Sequence, residues 1–167
     1  MDSDPSPEQI AGTAKGNEGN SGLYRLAGEM GGERCVAEYF NWNGTRAGHI
    51  RDKKPPLSEA VVEAIRTHLA EHPGDRLAIV GNSWGGHTAL DVCQKLCSVD
   101  CPLAVQELVL LDPSSAGRAR LESNALPVNV NRVTNYYTRN LFGWRKWVED
   151  RRLEHIDLGD PAKGYMQ

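Results

Sequence analysis

An α/β fold built on a mostly parallel, open sheet with helices on both faces is what three features of this 167-residue chain predict. Two short apolar runs, Arg76–Val80 and Glu107–Leu111, are bounded by turn residues and read as strands buried on both faces. Between them, Ala89, Val92, Cys93 and Leu96 recur at helical spacing on one stripe. A later segment, Asn131–Tyr137, carries the β-branched and aromatic weighting of a third strand. Strands that alternate with helices must be joined by crossovers, which makes neighbouring strands parallel and lays the helices against the sheet.

The elements follow in order. Residues 1–22 hold Asp, Ser, Pro, Gly and Asn around the single large aliphatic Ile10, too little apolar surface to order a chain, so a loose tail is expected there and the α/β domain over 23–167. Within that tail, Ile10–Thr13 followed by the glycine-rich Gly16–Asn20 has the look of a strand stub entering a loop. Leu23, Leu26, Ala27 and Met30 repeat with helical period and stop at Gly31-Gly32, a glycine terminator. Arg34–Phe40 reads as a strand that ends in the turn-rich Asn41-Trp42-Asn43-Gly44. After Pro55-Pro56, Ser58 is placed to cap a helix whose apolar face is Val61, Val62, Ile65 and Leu69, ending before Pro73-Gly74.

Composition narrows the function classes. There are 19 Lys+Arg against 22 Asp+Glu, a net charge of −3, which lacks the basic footprint of a general nucleic-acid binder. No run approaches the 18 or so apolar residues of a membrane-spanning helix. The start, Met1-Asp2-Ser3-Asp4-Pro5, has neither the basic nor the apolar region of an export signal, so a cytoplasmic address is expected, or a secreted one if the natural N-terminus lies further upstream. Cys93, Cys97 and Cys101 fall at every fourth position without the second half of a zinc motif, and read as thiols on one helix face; no metal and no organic cofactor is expected.

The segment with most chemical content is Gly81-Asn82-Ser83-Trp84-Gly85, a G-x-S-x-G between the Leu77–Val80 strand and the helix that follows. A serine on so sharp a turn is held in a tight backbone conformation, and small neighbours, here Gly81, Gly85 and Gly86, keep strand and helix from colliding. Such a turn lifts the Ser83 hydroxyl to a helix N-terminus, where N–H groups favour developing negative charge, the Trp84 N–H being one donor. The bland alternative is a glycine-rich turn of another doubly wound fold, with Ser83 only a cap. A phosphate cradle would need G-x-G-x-x-G or G-x-x-x-x-G-K-[ST], and neither is present.

A serine hydroxyl needs a general base, and the base an orienting acid. His68 and His72 at i, i+4 lack the glutamate of H-E-x-x-H and read as a solvated face. His87 lies one turn past the serine and suits packing, and His49 falls in a loop. His155 lies after the last expected strand and after the acids on the sheet. Asp112 closes the Leu108–Leu111 strand ahead of Pro113, at the strand end where such sheets hold their sites, although Asp-Pro is also a common turn. Glu149, Asp150 and Asp157 are the other acids to weigh. Trp42, His87 and Tyr137 are candidate pocket residues.

Gly81–Gly86, the helix after it, Leu110-Leu111-Asp112-Pro113 and the late His155 together resemble the α/β-hydrolase superfamily, in particular its lipase-like and esterase-like branch, over roughly residues 34–160. The resemblance implies a reduced or N-terminally truncated version of that fold and a triad in which Ser83 attacks, His155 carries the proton and Asp112 holds the imidazole, with the acid one strand earlier than in most members. It also implies hydrolysis of a lipid or small acyl ester through an acyl-enzyme, with Gly12 or Thr13 supplying the second oxyanion N–H beside Trp84. Two alternatives stand beside it: a thioesterase or acyltransferase using the same triad, and a degenerate hydrolase fold that binds a ligand or partner without turnover.

Overall fold

The computed structural model describes residues 22–40, 57–97, 102–113, 126–138, 150–160 and 162. These fall in two compact units, one within Met1–Gly48 and one within His49–Gln167. In the first, helix α1 (Gly22–Met30) ends where the Gly31 N–H reaches the Ala27 carbonyl at 3.0 Å, the glycine stop that the sequence predicts. None of its residues is buried, and Tyr24 stacks edge-on with Tyr39 at 5.6 Å between ring centres. The strand expected over 34–40 does not form: an isolated antiparallel bridge joins Gly32 to Cys35, and 36–40 has no regular structure. An apolar run alone does not make a strand, because the ladder needs a partner chain segment and none of the described residues offers one.

The second unit is an α/β fold whose described residues form a parallel sheet of four strands in the order β1-β2-β3-β4, flanked by helices. Helix α2 (Leu57–Glu71) precedes β1 (Leu77–Asn82), helix α3 (Trp84–Cys97) links it to β2 (Val105–Leu111), and β3 (Val133–Tyr137) and β4 (Leu153–Asp157) follow. Helix α3 packs on β1 and β2, and α2 packs on α3. The expected stripe is the core: Ala89, Val92, Cys93 and Leu96 meet Val105, Leu108, Leu110 and Val133, all at most 4% exposed. Burial pushes the Cys93 thiol up to about 12, so it serves as a small apolar side chain. Ser58 lies one residue inside α2 and is buried, where a preceding cap was expected.

Two strand expectations are corrected. Strand β1 is covered on one face only: Ala78, Val80 and Asn82 alternate to the exposed side, Val80 at 37%, because among the described residues it is the sheet's edge and α3 lies on the opposite face. The second correction is that His155 does not follow the last strand, since Leu153–Asp157 is itself β4, parallel to β3 with Asn135 beside His155. An edge strand needs few apolar residues, and Leu-Glu-His-Ile-Asp supplies only two.

Arg152 fastens the start of β4. Its guanidinium donates to the Pro127 and Val130 carbonyls at 2.9 Å each and to Asp150 at 2.6 and 3.0 Å. That pairing holds the Asp150 carboxyl well below its ordinary range, at about 2.

Candidate active site at the strand ends

Strand β1 runs into α3 without a loop, Ser83 being the single residue between them. It sits at φ 50°, a left-handed conformation that an L-residue adopts at a cost of about 1–2 kcal/mol. Its N–H extends the ladder to the Leu111 carbonyl at 2.9 Å, and its carbonyl accepts the Gly86 N–H at 3.0 Å. The bend is therefore held from both the sheet and the helix.

The neighbouring glycines divide sharply. A Cβ on Gly81 would lie 2.5 Å from the Gly85 carbonyl oxygen, 2.8 Å from Gly86 Cα and 2.9 Å from Ala89 Cβ. One on Gly86 would lie 2.8 Å from Pro113 Cβ. One on Gly85 would meet nothing within 4 Å. The expectation that all three glycines relieve crowding is thus right for Gly81 and Gly86 and is corrected for Gly85, the second residue of α3, where a Cβ would meet open space. Pro113 explains what Gly86 accommodates: the buried ring after β2 seats against the first turn of α3.

Asp112 is the other residue outside glycine with a left-handed backbone among those described, at φ 44°. It follows Leu111, which pairs with Asn82, so Asp112 and Ser83 leave adjacent strands at one level. Neighbouring strands lie about 4.8 Å apart, which puts the two backbones side by side. The Asp112 N–H donates to the Tyr136 carbonyl at 2.7 Å, and its carboxylate accepts the Thr138 hydroxyl at 2.8 Å. A longer contact of 3.4 Å runs from the Thr138 N–H to the other carboxylate oxygen.

The structure brings Ser83 and Asp112 together and leaves His155 apart. Three interstrand steps separate β1 from β4, roughly 14 Å of sheet, against the ~3 Å that proton transfer needs. His155 is exposed, yet its ring is engaged: Nδ1 lies 3.1 Å from the Asn135 amide nitrogen, and the Tyr137 ring meets it edge-on at 6.1 Å. Partial burial holds its pKa below the ordinary imidazole value. Asn135 is 2% exposed and its Oδ1 has no partner, so either orientation of the amide satisfies one polar atom and orphans another. Tyr137, expected to line a pocket at the serine, thus packs on His155.

His87 is half-buried on the first turns of α3, and the Trp84 N–H belongs to that helix's first residue. Gly12, Thr13, Trp42 and His49 lie outside the described residues. Asp157, weighed as an alternative acid, is buried and accepts the Gly159 N–H at 2.9 Å, and Asp150 is committed to Arg152. Sequence reasoning missed Thr138 and Asn135. Asn135 carried a signal, a polar residue inside a strand otherwise fit for burial, whereas Thr138 carried none, because only the register places it beside Asp112.

Among the described residues no group of three His, Cys, Asp or Glu side chains is arranged to hold a metal ion, and no helix is long and apolar enough to cross a membrane. Comparison of the chain with protein-family models, with curated proteins and with solved structures returned no match.

Proposed function

We propose that this protein is a serine hydrolase of α/β-hydrolase type, acting on a lipid or small acyl ester through Ser83. The observation that carries the reading is the left-handed Ser83 on a bend so tight that Gly81 admits no Cβ. Backbone strain of this kind persists where the surroundings over-determine it, and it clusters at reacting groups. The place of Asp112, left-handed where it leaves the adjacent strand at the level of Ser83, supports its assignment as the triad acid.

In this reading the Ser83 Oγ attacks the ester carbonyl carbon and gives its proton to an imidazole. The Trp84 N–H, with Gly12 or Thr13, steadies the oxyanion. The ester C–O bond breaks, the alcohol leaves with the proton, and water then releases the acid from Ser83. A thiol ester in place of the ester, or another acceptor in place of water, uses the same parts. His155 is the imidazole that the resemblance implies. Its support is chain order alone, since its place on β4 would require it to cross three strands' width.

That separation is also what favours a second reading, a degenerate hydrolase fold that binds a ligand or partner without turnover. A fluorophosphonate probe separates the two. Covalent labelling mapped to Ser83 and abolished in Ser83→Ala supports the hydrolase. Folded protein that stays unlabelled supports the binding module. His155→Ala then tests the base: labelling at the wild-type rate removes His155 from the triad.

A further inference from the structure

We infer that Thr138 is the positioning residue for the triad acid, holding the Asp112 carboxylate in its working orientation; this rests on the serine-hydrolase reading above. Asp112 departs from β2 in a left-handed conformation, φ 44°, which Asp adopts more readily than most residues with a side chain. What holds it comes from the end of β3. The Tyr136 carbonyl takes the Asp112 N–H at 2.7 Å, fixing the backbone. Two residues on, Thr138 directs its hydroxyl to Oδ2 at 2.8 Å and its N–H toward Oδ1 at 3.4 Å.

The carboxylate receives both donors of one residue just past the end of β3, with both of its oxygens engaged. A carboxylate so gripped has lost rotation about its terminal bond, and its remaining lone pairs point in set directions. A triad acid requires this, because its work is to hold an imidazole in one tautomer and one orientation. The hydroxyl supplies the shorter of the two contacts, and it belongs to a side chain, so it can be removed without disturbing the backbone N–H.

The test uses the full chain and two probes, the rate of fluorophosphonate labelling at Ser83 and the hydrolysis of p-nitrophenyl butyrate. Thr138→Val deletes the hydroxyl at nearly constant shape, and Thr138→Ser keeps it. A hydrogen bond to a charged group is among the stronger ones, so Thr138→Val is expected to lower labelling and kcat by roughly ten- to a hundredfold, with KM little changed. Thr138→Ser should restore most of the loss. If Thr138 acts through Asp112, adding Thr138→Val to Asp112→Asn lowers the rate no further than Asp112→Asn alone, whereas a merely structural defect would add.

Labelling of Thr138→Val at the wild-type rate, or additivity in the double variant, overturns the inference while leaving the nucleophile standing. Wild-type protein that is folded and unlabelled at Ser83 overturns the hydrolase reading, and the inference with it. Should Thr138→Val fail to fold, Thr138→Ala against Thr138→Ser makes the same comparison.

Discussion

Three glycines in one short motif should answer an added methyl group in three different ways. Alanine at Gly81 puts a Cβ within 3.0 Å of three heavy atoms, and two of these, the Gly85 carbonyl oxygen and Gly86 Cα, are backbone of the first turn of α3. No side-chain rotation relieves them, so α3 must move off β1. Overpacking of a tight site costs about 1–3 kcal/mol, and contacts with backbone place Gly81→Ala near 3 kcal/mol. At Gly86 the obstacle is the Pro113 ring, at 2.8 and 3.3 Å, and alanine's better helix propensity offsets part of a cost of about 1–2 kcal/mol. At Gly85 nothing stands within 4 Å, so the same change should stabilise by about 0.5–1 kcal/mol through the entropy of the unfolded chain. Urea unfolding of the full chain reads all three. With a denaturant slope of about 2 kcal/mol/M, Gly81→Ala and Gly85→Ala should differ in midpoint by nearly 2 M, on opposite sides of wild type. Midpoints for the two within about 0.3 M of each other would refute the steric account of the bend.

Three further outcomes follow from the same geometry. Ser83→Gly should raise stability by up to about 1 kcal/mol by removing the strain at φ 50°, while abolishing fluorophosphonate labelling; a lower urea midpoint than wild type counts against stored strain. Because Asp150 ionises near 2 in the folded protein against an ordinary 3.8, the pairing with Arg152 contributes fully above about pH 4 and is lost as pH falls toward 2. The gap in unfolding midpoint between wild type and Asp150→Asn should close across that window, and a gap constant with pH would remove the ion pair from the account. His155, held below the ordinary imidazole value by burial, should titrate by NMR at a lower pH than in urea-unfolded chain, with stability declining as pH falls through that range; an equal or higher folded midpoint would contradict its placement.

How far these features were legible in the sequence depends on whether the signal was local. Helices α1, α2 and α3 announced themselves because an apolar stripe repeats within a few residues, and β1 and β2 because a short apolar run ends at turn residues. The bend at Ser83 was legible for the same reason: Gly81, Ser83 and Gly86 fall within six consecutive residues. Strand β4 was hidden, since an edge strand with Glu154 and His155 exposed carries no apolar alternation to read. Arg34–Phe40 erred the other way, an apolar and aromatic run ending at turn residues but with no ladder partner among the described residues. The Asp112–Thr138 contact spans 26 residues and exists only through the β2–β3 register, which local pattern does not encode. Chain order suggested His155 as the base but could not reveal that Asn135 lies beside it.

Spatial order and chain order coincide in this sheet: each strand lies next to the one before it. Among the described strands none has to be inserted between two that have already paired, so their assembly is simple addition at a growing margin. Each addition closes one crossover, and its entropic cost rises only slowly with the length of that connection. A chain emerging from the ribosome could dock β2 on β1, then β3 on β2, before Leu153 has been synthesised. The left-handed pair Ser83 and Asp112 would then be in place early, and Thr138 would lock onto it as the third strand arrived.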